Sequence, residues 1–419
     1  MKSSFRKISG SICAPLGFKA AAVFCDIKRV GTGKGSEKGR KDDLALIVSG
    51  IPAAVAGMFT TNQVCAAPVK LSAQRAAKKF AQAVVVNSGN ANACTGRQGL
   101  VDARRMAAVA AKKIGINESS ILVCSTGRIG VPMPMKNVER GIRECARLLA
   151  RSTSNTRRVA EAIMTTDSRR KEIAVEFKID NRIVRIGGIC KGAGMIQPWM
   201  KHATMLAFLT TDAAIESKVL KHALKIAVGQ SFNRITVDGD MSTNDSVILL
   251  ANGLAKNRRI DRLKFQDALN FVTLELAKMI VRDGEGVSRF VTLHVRGARN
   301  SSDAELAARS IANSSLVRTS WCGGDPNWGR ILCALGYSKA KVDENRVDVG
   351  YSHASERGIV WGFRRGKPAG SLRKLGRITG AKEFDIHVDL HVGRGDFTMY
   401  ASDLTEDYVA FNKGDVTGG

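Results

Sequence analysis

The chain has 419 residues, 44% hydrophobic and 25% charged, which is the balance of a globular protein with a core and length for two or three domains, or for one large layered domain with a lobe attached. No apolar run reaches the roughly 18 to 20 residues that a membrane-spanning helix needs, so no membrane partner is expected. The net charge of +27 is spread along the chain and aromatics are only 5%, too few for a base-stacking platform, so the expectation is a solvated basic surface and no nucleic-acid partner.

In chain order, Met1 to Gly10 is basic and Ser-rich but lacks the apolar middle of a secretory signal, and sequence of folded character starts by Gly17, so a cytoplasmic location is expected. The loop Gly31 to Asp43 is rich in glycine and charge. A phosphate-binding Walker loop needs Ser or Thr directly after Gly-Lys, and here Gly35 follows Lys34. Short β-branched runs predict strands at 83–87, 121–124, 172–177, 182–186, 246–250 and 290–295. Amphipathic periodicity predicts helices at 101–114, 138–149, 215–228, 264–282 and 303–312. Asp385, His387, Asp389 and His391 alternate along one segment, the pattern of a solvated strand face rather than a metal site, and no metal is expected. The nine cysteines include no C-x-x-C pair and read as small buried hydrophobes in a reducing compartment. No Gly-x-Ser-x-Gly elbow is present.

Small and hydroxylic residues concentrate at the centre, where Lys191-Gly-Ala-Gly-Met-Ile leads through Pro198 to Ala203-Thr-Met-Leu-Ala-Phe. A flexible glycine segment feeding a threonine that opens an apolar strand is the setting self-cleavage needs. The hydroxyl must fold back onto the preceding carbonyl, and cleavage would free an α-amine with a reference pKa of about 7.7 to 8.0 that can act as the nucleophile's own base. On spacing alone, an Ala-Thr pair opening a strand is an ordinary structural feature.

The same segments, taken together, resemble the ornithine acetyltransferase family, the bifunctional glutamate N-acetyltransferases of arginine biosynthesis. Further matches follow in family order: Phe59-Thr-Thr-Asn62, Ala66-Ala-Pro-Val69, Val86-Asn-Ser-Gly-Asn-Ala-Asn-Ala-Cys-Thr-Gly96, Ser125-Thr-Gly-Arg-Ile-Gly130 and Met164-Thr-Thr-Asp167. Beyond the centre come Asn233 to Asp240, Ser242-Thr-Asn-Asp245, Val281-Arg-Asp-Gly-Glu-Gly286, Gly324-Asp-Pro-Asn-Trp-Gly-Arg330 and Asp403-Leu-Thr. The resemblance covers about residues 17 to 417.

It implies an α/β, N-terminal-nucleophile-like layered fold with two mixed sheets between helices and a smaller C-terminal lobe. Residues 1–203 and 204–419 would become α and β chains of a heterotetramer, two of each, after cleavage between Ala203 and Thr204. Thr204 would be the nucleophile, with Thr126 and Gly127 as the oxyanion hole. Thr165, Lys191, Thr204, Glu285, Asn412 and Thr417 would bind substrate, Lys191 suiting an α-carboxylate and Glu285 the cationic end of ornithine. The implied reaction is ping-pong acetyl transfer from N-acetylornithine to glutamate, with no cofactor, and with acetyl-CoA as a co-substrate in some members. An aminopeptidase of the same fold and a catalytically impaired polyanion-binding protein are the alternative readings. Three positions depart from the family pattern: Lys201 and His202 form an insertion before Ala203, Trp199 stands where Asn is usual, and Asp415 replaces a Tyr between Asn412 and Thr417.

Overall fold

The structure, a computed structural model, describes residues 5–28, 41–198 and 205–413. In chain order the first strands are β1 (Phe5–Lys7), β2 (Phe18–Val23), β3 (Leu44–Phe59), β4 (Phe80–Asn90), β5 (Ile121–Arg128), β6 (Lys171–Ile179), β7 (Arg182–Lys191) and β8 (Leu206–Thr211). They are followed by β9 (Ile235–Thr236), β10 (Ser246–Ala251), β11 (Phe290–Ala298), β12 (Asp348–Ser352), β13 (Val360–Arg364), β14 (Lys367–Pro368), β15 (Glu383–Asp389) and β16 (Gly395–Ser402). The described residues divide into two compact units, the first spanning 5–233 and 240–280, the second holding 234–239 and 281–413. Each is built on its own mixed sheet.

In the first unit the order is β1-β6-β7-β8-β10-β3-β4-β5, with β2 also pairing β3. The pairs β8–β10 and β4–β5 are parallel and the rest antiparallel. The apolar runs in β4 and β5 follow from burial on both faces. Val84, Val86, Leu122 and Cys124 face one core, while Ala83, Val85, Ile121 and Val123 face another. The second core packs against helices Gly96–Ile114 and Met135–Leu148 through Met106, Ala110, Val138 and Ile142, and the first takes Val159 and Ala160 from helix Thr153–Ala162.

In the second unit the order is β14-β13-β12-β15-β11-β16-β9. One face is covered by helices Ser301–Asn313, Ser315–Cys322, Trp328–Gly336 and Leu372–Thr379, which surround Trp321, Tyr351 and Leu375.

The α/β class, the two mixed sheets and the smaller C-terminal unit agree with expectation, and each predicted strand and helix lies within a few residues of an observed one. The sequence reading named no strand over β3, which contains Gly50 and Pro52. The strand tolerates them at an irregularity where the β3–β4 register shifts between Val48 and Ala53. The fold also starts ahead of Gly17, for β1 pairs β6 and Ile12 is fully buried. The reading of the cysteines needs correction at Cys94 and Cys333, which are exposed, while Cys13, Cys25, Cys124, Cys145 and Cys190 are buried. Among the described residues no helix is long and apolar enough to cross a membrane.

Candidate active site

The Ser125-Thr-Gly segment ends β5, which runs parallel to β4 with Ser125 opposite Asn87, Thr126 opposite Ser88 and Gly127 opposite Gly89. Gly127 has φ +132°, and a Cβ there would sit 2.3 Å from the carbonyl carbon of Gly89 and 2.5 Å from the nitrogen of Asn90, so no other residue fits. The turn is pinned by amides. Asn244 Nδ2 donates to the carbonyls of Ser125 (2.8 Å) and Ala91 (2.6 Å), and Ser125 Oγ donates to Asn87 Oδ1 (2.6 Å). Thr126 and Gly127 stay half-buried at the strand end.

Lys191 is the last residue of β7 and only 8% exposed. Its Nζ donates to Thr165 Oγ1 (2.8 Å) and lies 3.4 Å from Thr126 Oγ1, so one ammonium joins a predicted substrate residue to a predicted oxyanion residue. Lys191 pairs in register with Leu206, which in sequence is two residues past Thr204.

Behind this group lies Asp167. Its Oδ1 accepts from Lys171 Nζ (2.6 Å) and the Gly192 amide (2.7 Å), and its Oδ2 from the Thr165 amide (3.0 Å). The Asp167 and Lys171 side chains are 0% and 2% exposed. Burial alone would raise the Asp167 pKa, but the charges of Lys191 and Lys171 and the hydrogen bonds from Lys171 and Gly192 outweigh it and hold the carboxyl at about 2. Nearby Lys28 is drawn down to about 8 by burial, with Asp43 and Asp167 opposing the fall and Lys41 and Lys191 adding to it. A polar cleft of about 850 Å³ meets this group at Thr165 and Asp167 and is lined further by Lys28, Arg158 and Arg169.

In the second unit Glu285 and Asn412 form a separate pair, Asn412 Nδ2 donating to Glu285 Oε2 at 3.1 Å. Asn412 is the last residue of helix Glu406–Asn412, which Thr405 caps by accepting from the Tyr408 amide. The turn bearing Glu285 is fastened by Asp403, which accepts from the amides of Ser288 and Arg289 (both 3.0 Å) and from Ser288 Oγ (2.5 Å). Thr405 Oγ1 also donates to the Gly286 carbonyl at 2.6 Å.

Of the predicted site residues, Thr126, Gly127, Thr165 and Lys191 come together in the first unit, and Glu285 with Asn412 in the second. Ala203, Thr204 and Thr417 lie outside the described residues, as do Trp199, Lys201, His202 and Asp415. Asp167, Lys171, Asn87 and Asn244 were given no role by the sequence reading. The available signal was the Asp-x-x-x-Lys spacing after Thr165-Thr-Asp167, with the lysine opening an apolar strand where a lone charge would be costly.

The alternation at 385–389 is the outer face of β15, but His391 falls beyond the strand with φ +49°. The face is bonded rather than freely solvated: His387 stacks on His294 (4.9 Å between centroids) and shares a 2.8 Å hydrogen bond with Ser352 Oγ. Burial, followed by the charge of His294, lowers His387 to about 4. Among the described residues no group of three or more His, Cys, Asp or Glu could hold a metal ion.

Residues 20–415 match the ArgJ family. A relative from Symbiobacterium thermophilum, described as arginine biosynthesis bifunctional protein ArgJ, is 47% identical over 97% of this chain and 98% of its own length. A glutamate N-acetyltransferase from Methanocaldococcus jannaschii is 44% identical over 97% of this chain and 98% of its own. Among solved structures, the ornithine acetyltransferase of Mycobacterium tuberculosis complexed with ornithine is 35% identical, with a TM-score of 0.42, covering 48% of this chain and 99% of that one.

Proposed function

This chain belongs to the ArgJ family, and from that premise we propose that it is a self-processing glutamate N-acetyltransferase of arginine biosynthesis that carries the acetyl group on Thr204. The observation that carries this reading is the contact of Lys191 with both Thr165 and Thr126 beside the glycine-only turn at Gly127. It sets a carboxylate-binding cation next to two donors suited to an alkoxide.

In the proposed cleavage, Thr204 Oγ attacks the carbonyl carbon of Ala203, and the C–N bond breaks so that the acyl group moves to the oxygen and the protonated Thr204 amine is freed. Water then hydrolyses the ester to the Ala203 carboxylate and the Thr204 hydroxyl. In acetyl transfer the same Oγ attacks the acetyl carbon of N-acetylornithine while its proton passes to the α-amine. The alkoxide is stabilised by Thr126 and the Gly127 amide, donors of a kind worth several kcal/mol each. The C–N bond breaks, ornithine leaves with the proton, and the amine of glutamate attacks the acetyl ester and restores Thr204. The residues named require no cofactor, and acetyl-CoA would serve as an alternative donor to the same hydroxyl. Lys191 holds the α-carboxylate and Glu285 the cationic end of ornithine. The α and β chains, 1–203 and 204–419, would assemble as a heterotetramer.

Intact-mass spectrometry after incubation with N-acetylornithine tests the reading. The expected result is two fragments, the C-terminal one beginning Thr-Met-Leu-Ala-Phe and gaining one acetyl group, with Thr204→Ala remaining one unacetylated chain. An intact chain that still transfers acetyl would overturn the mechanism.

A further inference from the structure

We propose that Asp167 is the positioning residue of the Lys191 end of the site: its buried carboxylate locks Thr165 and the end of β7 into one arrangement and serves as the counter-charge of the Lys191 ammonium. The inference rests on the acetyl-transfer reading above and assigns to that site a residue outside the set of substrate and oxyanion contacts.

Asp167 bridges two segments distant in sequence. One oxygen takes the Thr165 amide on the turn before β6, and the other takes the Gly192 amide immediately after Lys191 on β7. Both neighbours of the catalytic cleft are therefore set by a single carboxylate. The Thr165 amide is fixed, so its hydroxyl is presented at 2.8 Å to Lys191 Nζ, and the Gly192 amide is fixed, so the β7 end cannot swing.

The charges make the same point. Asp167 faces Lys171, Lys191 and Lys28, with Lys41 and Asp43 next to Lys28. Lys171 alone would neutralise an ordinary buried carboxylate. A second ammonium at the mouth of the site is stabilised by this anion, because Lys191 is a residue only 8% exposed, with little water to solvate its charge. Asp167 touches neither substrate nor reacting atoms in this scheme. It acts through Thr165 and Lys191.

The test compares Asp167→Asn, Asp167→Glu and Lys171→Met in the full-length, self-processed protein, scoring KM, kcat and the pH profile of kcat/KM for N-acetylornithine. Asp167→Asn is expected to raise KM by roughly 10- to 100-fold, the size of losing one or two charge-assisted hydrogen bonds. It should also move the alkaline limb of kcat/KM to lower pH, because Lys191 and Lys28 lose a nearby anion. Lys171→Met, which removes the structural partner and leaves Asp167 on the Thr165 and Gly192 amides, should lower thermal stability yet keep the alkaline limb in place or shift it upward. Asp167→Glu should recover the limb better than it recovers KM, since charge returns without the geometry. If Asp167→Asn does not accumulate as folded protein, Asp167→Asn with Lys171→Met removes both charges of the pair and should keep the rise in KM, while the limb stays nearer its wild-type position because the lost anion and the lost cation offset each other. Unchanged KM and an unmoved limb in the folded variant overturn the proposal, as does a Lys171→Met profile identical to that of Asp167→Asn. Absence of acetyl uptake by the wild-type protein would instead sink the transfer reading itself.

Discussion

The Lys191 group and the Glu285 pair are both polar, hydrogen-bonded clusters, yet they are built in opposite ways. Lys171 and Lys191 are buried at strand ends, and Asp167, buried in the turn before β6, is bonded on both oxygens. Glu285 is half-buried on a turn, and Asn412 is exposed at the end of a seven-residue helix. The same charges interact several-fold more strongly in a poorly solvated site than at the surface, and pay more if left unpaired. The first cluster therefore has the rigidity and charge balance suited to a transition state, where a fixed geometry matters most. The second has the looseness suited to choosing between side chains, where a small preference suffices. Substitutions in the first should act on stability and on the binding and turnover of both substrates alike, and those in the second on the choice of substrate.

The largest effect is expected at Gly127. Any side chain there meets the backbone of Gly89 and Asn90, so Gly127→Ala must displace the turn and its amide. Single-turnover acetylation followed by mass spectrometry should slow by roughly 100- to 1,000-fold, with self-cleavage slowed alongside it. Thr126→Ala leaves the backbone in place and removes one hydroxyl, so a smaller fall in kcat of about 10- to 100-fold is expected, with KM changing much less. A raised KM with normal kcat would move Thr126 from the oxyanion hole to ground-state binding and weaken the contrast drawn above.

This contrast was partly visible beforehand. The strands carrying the first cluster were legible because burial on both faces leaves runs such as Val84-Val-Val86. The family resemblance supplied Thr126, Gly127, Thr165, Lys191 and Glu285, since Ser125-Thr-Gly after a strand reads on its own as an ordinary turn. What stayed hidden were the partners that act at a distance: Asn244 lies 119 positions from Ser125, and Gly192 lies 25 positions from Asp167. Periodicity reports which face a residue occupies but not which loop will arrive opposite it. Asp167 was passed over for a further reason, despite its spacing from Lys171. A charged residue in a turn reads as solvated until its neighbours are known to enclose it.

The next effect is on stability and pH. Asp167 is held at about 2 when folded, below an unfolded value of about 3.9, so the folded state binds its proton less readily. Its contribution, on the order of 2 kcal/mol, is fully present above about pH 4 to 5 and is lost as the pH falls through about 2. Acid unfolding followed by circular dichroism should show wild type losing its advantage over the double variant Asp167→Asn with Lys171→Met in that window. A constant difference between the two down to pH 2 would mean that the buried pair contributes by packing and not by charge.

The smallest effect is expected at Glu285, and its direction matters more than its size. N-acetylornithine ends in an ammonium and glutamate in a carboxylate, so the Glu285 carboxylate should favour the first and disfavour the second. Removing the charge while keeping the shape, as in Glu285→Gln, should raise KM for N-acetylornithine by about 2- to 5-fold, the scale of a partly exposed ion pair. KM for glutamate should stay level or fall, because a repulsion has been removed. Asn412 donates to the Glu285 carboxylate and cannot itself tell an ammonium from a carboxylate, so Asn412→Ala should raise KM for N-acetylornithine by less than about 2-fold by loosening Glu285. Raising the salt concentration should shrink the effect of Glu285→Gln and leave that of Thr126→Ala unchanged, since screening reaches exposed charges and not a backbone-bound turn. If Glu285→Gln instead lowered kcat for both half-reactions and resisted salt, Glu285 would belong with the rigid cluster, and selection between the two amino acids would have to be sought on the Lys191 side.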